Sequence, residues 1–306
     1  MRKHVAGMAL AGAIALGIYL FLSVPSESAG MAPVTIRLGT LAPSGSSFHT
    51  ALVEMGQKWR DASGSAVRLI IYPDGVQGGE AAMVRSLRAR SLSAGMFTVV
   101  GLSQIDRSVS GLSFLPLTFR SWEEYDYVVE KLSPRLEKVL LDRGFVVLFW
   151  GDAGPVPLET ADILPGLKTN LFNAIALPPN QALLSQCYTI ANHMLALKWA
   201  ILSGGTVIRK DVWDKIPADV QQKLRAAAVE AGAKIRANDR KEDEESIVAM
   251  QKKGLVVHPV TPQIEEAWLK LTKTLYPELR GKLVPADIFD EVLRLVDEYR
   301  AKTTKK

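Results

Sequence analysis

Predicted strands and helices alternate regularly along the first half of the chain, and this alternation constrains the fold more than any other feature. Short apolar segments end in turns rich in glycine, serine or proline, and longer segments with apolar residues at helical spacing follow them. The predicted strands cover residues 34–39, 66–72, 96–100 and 145–150. Such alternation predicts an α/β fold with mostly parallel sheets.

One very long helix is predicted in the second half, over residues 217–253. A proline in its first turn and Gly254 after its end suit the two boundaries. Its first half has an apolar face, whereas residues 236–245 are almost wholly charged or polar. A helix of this length with a polar middle favours a bridge between two lobes over burial in one core. Further helices near residues 262–276 and 285–301 predict a helical C-terminus.

The N-terminus has the order of regions typical of a secretory signal segment. Arg2 and Lys3 precede an apolar run over residues 5–24, and the small residues Ser26 and Ser28 suit cleavage after Ser28. The apolar run, of roughly 20 residues, is also long enough to span a bilayer. An uncleaved N-terminal anchor therefore stays open as the alternative, and both predictions place the remaining chain outside the cytoplasm.

Composition limits the class of partner and the covalent framework. Removing residues 1–28 takes away Arg2, Lys3 and Glu27, so the formal net charge falls from +5 to +4, and the basic residues form no dense cluster with aromatic residues. This pattern argues against nucleic-acid binding. Cys187 is the only cysteine, so the exported chain has no internal disulfide. The 278 residues left when 28 are removed from 306 favour two lobes.

The sequence contains no residue pattern typical of an enzyme or a metal site. Its four histidines, His4, His49, His193 and His258, are dispersed and form no His-Glu-x-x-His pair. No Gly-x-Ser-x-Gly nucleophile elbow is present. We therefore expect no catalytic residue, no metal and no cofactor. A hydrolase that depends on Asp152 is the weakest of the functional hypotheses.

Candidate binding residues lie in the loops that follow three of the predicted strands. Open α/β sheets bind ligands outside the carboxyl ends of their strands. The first loop offers Phe48 and His49, the second offers Glu80, and the fourth strand ends at Trp150 and Asp152. Ordinary structural roles fit the same residues, since Trp150 suits a core position and Asp152 suits a turn or a helix cap.

A series of short motifs runs in order through residues 34–301. The series consists of Ile36-Arg37-Leu38-Gly39-Thr40-Leu41-Ala42-Pro43, Tyr72-Pro73-Asp74-Gly75, Phe114-Leu115-Pro116-Leu117, Gly144 to Trp150 with Gly151-Asp152, Val207-Ile208-Arg209-Lys210-Asp211-Val212-Trp213, and Leu279-Arg280-Gly281-Lys282 through Glu298-Tyr299-Arg300. In this order the motifs resemble the DctP-type solute-binding proteins of TRAP transporters.

The resemblance implies a two-lobed, periplasmic-binding-protein-like fold and a receptor located in the periplasm. Such a receptor closes on a small, carboxylate-bearing organic acid and delivers it to TRAP membrane permease subunits. Lobe 1 is expected at residues 34–119 with part of 205–260, and lobe 2 at residues 121–204. The helices of residues 261–306 are expected to pack across both lobes.

Three further ligand contacts are expected in the second lobe from loop position and from the resemblance. Asn180 and Gln181 follow two prolines and offer amide groups, and Phe172 offers an apolar wall. With the loop residues named above, they complete the predicted ligand-binding set.

One departure from the family pattern affects the expected site. Family members usually carry a further strand and helix between the equivalents of Gly154 and Pro155, often with a Lys-x-Arg segment whose arginine pairs with the solute carboxylate. No residue of this chain matches that arginine, and Asn170 and Asn173 stand where the family has glycine and aspartate. A receptor-derived envelope scaffold that no longer binds solute is therefore the alternative function.

Overall fold

The computed structural model of the chain describes residues 31–152 and 160–304. The predicted signal segment at residues 1–28 lies outside the described residues. So does the point between Gly154 and Pro155 where the sequence departs from the family pattern. Within the described part of the chain, no helix combines the length and the apolar character needed to cross a membrane.

Seven strands and ten α-helices form the described part of the chain. The strands are β1 (Val34–Thr40), β2 (Val67–Tyr72), β3 (Ala94–Thr98), β4 (Phe145–Asp152), β5 (His193–Leu195), β6 (Ser203–Arg209) and β7 (Val256–His258). The helices are α1 (Ser47–Ala62), α2 (Glu80–Arg88), α3 (Val99–Ser103), α4 (Trp122–Asp142), α5 (Thr160–Lys168), α6 (Pro179–Leu184), α7 (Lys210–Trp213), α8 (Ala218–Gln251), α9 (Pro262–Leu279) and α10 (Ala286–Thr303). Short 3-10 helices cover Arg107–Leu112 and Cys187–Thr189.

Five strands form the main sheet in the order β2-β1-β3-β6-β4. β1 pairs in parallel with β2 and β3, and β6 pairs antiparallel with both β3 and β4. Four of the five strands therefore run in the same direction, which confirms the mostly parallel α/β sheet predicted from the sequence. As a consequence, the carboxyl ends of β1, β3 and β4 meet the amino end of β6 at one edge.

The position of β4 differs from the expected division into lobes. Residues 121–204 were assigned to lobe 2, yet β4 is an edge strand of the same sheet as β1 and β3. The reason is its ladder with β6, in which Phe145 lies opposite Arg209 and Asp152 opposite Ser203. The other lobe boundaries remain predictions.

A β-bulge in β4 exchanges the faces on which its side chains lie. Val147 pairs with Val207 and Phe149 pairs with Thr206, so Leu148 is an extra residue in the ladder. Before the bulge, Val147 belongs to the core cluster that includes α4 and α10. After it, Trp150 packs on that same cluster, and Phe149 faces α8 instead. One extra residue thus reverses the side-chain alternation of the last part of the strand.

The helix α8 is 34 residues long and agrees closely with the helix predicted over residues 217–253. Its first half packs against α1, where the indole Nε1 of Trp59 donates a 2.8 Å hydrogen bond to the carbonyl oxygen of Leu224. Its C-terminal end is a Schellman motif: Gly254 has φ +102°, and the N–H of Leu255 donates to the carbonyl of Met250 at 3.0 Å. The first half also runs along β4, and the polar middle begins near the end of that strand, where Arg240 contacts Asp152.

A smaller part of the structure contains α5, α6 and a two-stranded parallel sheet of β5 and β7. Cys187 is buried there beside Ile163 and Leu167, as a small apolar residue. The polar middle of α8 holds α6 in place, because the backbone N–H of Asn180 donates to Asp243 at 2.9 Å and its side-chain amide donates to Glu242 at 3.1 Å. These two hydrogen bonds join α6 to the long helix, and the bridging of two lobes by α8 stays a prediction.

Candidate functional site

A cavity lies at the edge where the carboxyl ends of β1, β3 and β4 meet the amino end of β6. Counted with its opening to solvent, the space among its lining residues is about 410 Å³, of which about 30 Å³ can hold the centre of a water molecule. Its lining residues come from these four strands, from the segment after β1, from α1 and α2, and from α8: Thr40, Leu41, Ala42, Phe48, Glu80, Met96, Phe97, Thr98, Phe149, Gly151, Asp152, Gly204, Gly205 and Ile235. This is the edge at which α/β sheets of this kind bind ligands.

Glu80 is a buried carboxylate at the first turn of α2, and both of its oxygens have partners. Oε1 accepts a 2.6 Å hydrogen bond from the N–H of Thr98, and Oε2 accepts one of 2.7 Å from the Thr98 hydroxyl. Burial raises the pKa of Glu80, and these bonds oppose the rise. Thr98 also caps α3 by accepting from the N–H of Val100 at 3.1 Å. The cap ends β3 at Thr98, two residues earlier than the sequence predicted.

Asp152 is the other ionisable residue among the described lining residues, and one of its oxygens has no partner. Its side chain is 1% exposed, and Oδ2 accepts a 2.7 Å hydrogen bond from Nε of Arg240. Oδ1 is buried and accepts no hydrogen bond from the described part of the chain. Burial raises the pKa of Asp152, and the hydrogen bond and positive charge of Arg240 oppose the rise.

Arg240 joins three elements at the side of the cavity. While Nε binds Asp152, Nη1 and Nη2 donate to the two oxygens of Asp126 on α4 at 2.9 and 2.6 Å. The guanidinium carbon lies 4.1 Å from the centroid of the Trp122 ring, within cation–π range. Burial lowers the pKa of Arg240, but its hydrogen bonds to the two aspartates outweigh burial and raise it overall. Its positive charge is therefore already balanced within the fold.

Further carboxylates surround this ion pair on the polar middle of α8. Burial raises the pKa of Asp239 to about 7, and the negative charges of Asp243, Asp152 and Glu242 add to the rise. The pKa of Asp243 is also raised, mainly by burial. The helix thus presents a largely acidic surface next to the cavity.

Aromatic rings and bare backbone form the rest of the cavity wall. Phe48, Phe97 and Phe149 supply the rings, and Gly204 and Gly205 supply the backbone. A Cβ at Gly204 would lie 2.2 Å from the carbonyl oxygen of Phe97, so only glycine allows this approach of β6 to β3. The cavity therefore combines apolar walls with very few polar groups, which is typical of small-molecule sites.

Three of the predicted ligand-binding residues come together in this cavity: Phe48, Glu80 and Asp152. His49 follows Phe48 on α1, and its Nδ1 accepts a 3.1 Å hydrogen bond from the N–H of Gly45 in the preceding loop. Residues that follow β1 and β2 thus lie at the same edge of the sheet as the last residue of β4.

The other predicted contacts lie elsewhere in the described structure. Trp150 lies on the opposite face of β4, where its Nε1 donates to Glu137 of α4 at 3.1 Å. Phe172 packs on the cluster of Ile163 and Leu167. Asn180 binds the carboxylates of α8, and Gln181 is buried beside it in α6.

Sequence reasoning did not identify Arg240, Phe149 or Ile235 as neighbours of the cavity. Arg240 and Ile235 lie on the long helix, and a polar helical stretch does not indicate which residue reaches a distant strand end. The one available signal was the change from an apolar to a polar face near residue 236. Phe149 faces the cavity because of the bulge at Leu148, which no local motif predicts.

Comparison with known families gives one match that covers most of the chain. The family described as "Bacterial extracellular solute-binding protein, family 7" (DctP) matches residues 38–156 and 152–282. The two matched segments overlap at residues 152–156, which include Gly154, where the sequence departs from the family pattern.

Curated relatives are distant. The C4-dicarboxylate-binding periplasmic protein DctP of Rhodobacter capsulatus is 21% identical over 132 residues, which are 43% of this chain. The chain spans only 40% of the length of that protein. An uncharacterized protein of Haemophilus influenzae is 21% identical over 88% of this chain and 93% of its own length.

Solved structures show the fold. A TRAP periplasmic solute-binding protein from Ochrobactrum anthropi has a TM-score of 0.79 at 19% identity, over 89% of this chain and 97% of its own. The sugar acid binding protein DctPAm from Advenella mimigardefordensis, in complex with galactonate, has a TM-score of 0.75 at 14% identity, over 88% and 99%. A TRAP periplasmic solute-binding protein from Roseobacter denitrificans, with bound β-D-glucuronate, has a TM-score of 0.70 at 15% identity, over 86% and 98%. The likeness confirms the predicted two-lobed α/β fold.

Proposed function

Because the chain belongs to family 7 of the bacterial extracellular solute-binding proteins, we propose that its cavity captures a small organic acid for a TRAP transporter. Proteins of this family are periplasmic receptors rather than enzymes, and they work with membrane permease subunits. For this chain, the cycle is capture of the solute in the periplasm, closure of the two lobes by a hinge motion, and release to the permease. The alternative of an envelope scaffold without solute binding is not favoured.

The observation that carries the proposal is the position of the cavity. It lies at the carboxyl edge of the parallel strands, it has apolar walls, and it contains a buried polar side chain, Asp152, with an unused oxygen. Burial of such a group without a partner costs free energy, which a bound solute recovers by supplying the missing hydrogen bond. A fold that needed only stability would gain from filling this space.

We propose Phe48, Glu80 and Asp152 as residues of the solute pocket because all three line the cavity. Phe48 offers a ring that packs on carbon atoms of the solute. Glu80 holds the start of α2 against the end of β3 through Thr98, and so keeps the pocket in shape. The other predicted contacts remain predictions for the closed state.

The solute class is proposed by analogy with the relatives, two of which hold galactonate and glucuronate. Both solutes carry a carboxylate and several hydroxyls. We therefore propose a carboxylate-bearing solute that also carries polar groups.

A thermal-shift screen tests the proposal. Galactonate, glucuronate, orotate and four-carbon dicarboxylates are each titrated against the purified chain, and a true solute raises Tm further as its concentration exceeds Kd. Gly151→Val is expected to abolish the shift, because a Cβ at Gly151 meets neighbours only at 3.7 Å or beyond and a side chain there occupies the cavity.

Ala233→Val, on the exposed face of α8, is the matched control and is expected to keep the shift. A panel that leaves Tm unchanged at millimolar concentrations contradicts the proposed function. An equal shift in Gly151→Val and in the wild type places binding outside this cavity.

A further inference from the structure

One buried side-chain oxygen has no hydrogen-bond partner among the described lining residues of the cavity. Thr40 accepts from the N–H of Ala42 at 3.1 Å, and the oxygens of Glu80 are both bound to Thr98. Only Oδ1 of Asp152 is left without a partner among these side-chain oxygens. An ionised carboxylate oxygen is an acceptor only, so the group that completes it must be a donor.

The surroundings of Asp152 fix this oxygen as an acceptor. Oδ2 receives the hydrogen bond from Arg240, whose other nitrogens are held by Asp126, so the carboxylate is anchored from one side and cannot turn without breaking an ion pair. Its side chain is 1% exposed, so bulk water does not compensate the unused oxygen.

The charges near this oxygen disfavour a second carboxylate. No lysine or arginine is among the described lining residues. Of the charges that act on Asp152, those of Arg240 and Arg236 are positive and that of Asp126 is negative, and Arg240 is already paired with both aspartates. A solute carboxylate placed beside Asp152 would meet a like charge at low dielectric, whereas a hydroxyl or an ammonium group would be attracted.

We propose that Oδ1 of Asp152 accepts a hydrogen bond from a hydroxyl or ammonium group of the solute, and so selects solutes with such a donor over plain carboxylates. This inference rests on the proposed function of the cavity and adds the class of group that is recognised. The carboxylate of the solute lies away from Asp152, and the donor group lies against the end of β4.

Isothermal titration calorimetry with three solutes of six carbon atoms tests the inference. Galactonate carries hydroxyls, 6-aminohexanoate carries an ammonium group, and hexanoate carries neither. For the wild-type chain, at least one of the first two is expected to bind about tenfold or more tightly than hexanoate, because an unpaired buried acceptor disfavours the solute without a donor. The two donor solutes distinguish a hydroxyl from an ammonium ligand.

The variant Asp152→Asn reverses the hydrogen-bonding character of the site. Its amide oxygen is expected to keep the bond from Arg240, which leaves the NH₂ group, a donor, where the acceptor was. The advantage of the donor solute over hexanoate is expected to fall about tenfold. Glu54→Gln removes one negative charge from an exposed pair with Lys234 and is expected to leave that ratio within about twofold.

The possible outcomes separate the inference from the proposed function. Equal binding of hexanoate by the wild-type chain, or an unchanged ratio in folded Asp152→Asn, overturns the inference while solute binding stands. The comparison of solutes on the wild type remains decisive if Asp152→Asn fails to fold. If none of the three solutes binds, the inference fails, and the proposed function fails only if the wider thermal-shift panel is inert as well.

Discussion

Nε of Arg240 donates a 2.7 Å hydrogen bond to the buried Oδ2 of Asp152, and this ion pair fastens the long helix α8 to the end of β4. The same guanidinium binds Asp126, so it also fastens α4. One side chain therefore holds α8, β4 and α4 together beside the cavity. That arrangement makes the stability of the fold and the shape of the pocket depend on the same residue.

Replacing Arg240 by methionine is expected to destabilise the protein by roughly 2–3 kcal/mol, because the buried Asp152 loses its ion-pair partner. Chemical denaturation at pH 7 measures the loss. Lys234→Met is the control, because its partners Glu54 and Glu230 are about half exposed and little loss is expected there. Equal midpoints for the two variants would show that Arg240 is not structurally important.

The buried Asp239 is expected to make stability fall as the pH rises. Its pKa is about 7 in the fold, well above the usual aspartate value of 3.8, so the folded state holds a proton that the unfolded state has already released. This contribution is fully present below pH 3.8 and is lost by the time the pH passes 7. Asp239→Asn lacks it, so its stability relative to the wild type is expected to rise by roughly 2 kcal/mol between pH 5 and pH 8.

Denaturant unfolding of both proteins at the two pH values checks this expectation, and the difference between them cancels the titration of groups they share. The negative charges of Asp243, Glu242 and Asp152 raise the pKa of Asp239, and the positive charge of Arg240 lowers it. A relative stability that stays constant from pH 5 to pH 8 would mean that Asp239 titrates normally.

Asn180→Asp is expected to loosen α6 from the long helix. The new carboxylate would lie beside Glu242 and Asp243 and would lose the amide donor that now binds Glu242. Faster hydrogen exchange in residues 179–184 is expected, with partial recovery at high salt, because salt screens repulsion between charges near the surface. Asn173→Asp, at an exposed position nearby, is expected to leave that exchange unchanged.

Gly232→Ala is expected to destabilise the protein by about 1–3 kcal/mol although alanine favours helices. A Cβ at this position of α8 would lie 2.7 Å from the ring of Phe149, so either the helix or the cavity wall must shift. Ala233→Gly on the exposed face measures the helix-propensity effect alone, at about 1 kcal/mol. Denaturation that shows Gly232→Ala to be more stable than the wild type would contradict the close packing.

The sequence was sufficient to predict most of the strands and helices, and it indicated the edge of the sheet where the cavity lies. Apolar patterns and glycine-rich turns are local signals, and they indicated that Phe48, Glu80 and Asp152 come close after or at strand ends. The long helix was predictable because its apolar face and its boundaries at Pro217 and Gly254 are local as well.

Features that depend on tertiary pairing were not predictable in the same way. The antiparallel direction of β6 and the place of β4 in the first sheet arise from ladders between distant segments. The partners of Arg240 on α4 and β4 are more than 80 residues away in the sequence. Nothing in the local pattern distinguishes this arginine from its solvent-exposed neighbours.

The extra residue at Leu148 has a consequence for how this receptor can diverge. If the ladder ran on without a bulge, so that Leu148 paired with Thr206, the indole of Trp150 would lie on the solute side and the ring of Phe149 would lie in the core, without any change in the identity of either residue. Pocket chemistry therefore depends on the register of β4 as well as on the residues that the strand carries. An ungapped alignment with a homologue that lacks the bulge would equate residues on opposite faces of the sheet, even where the letters agree.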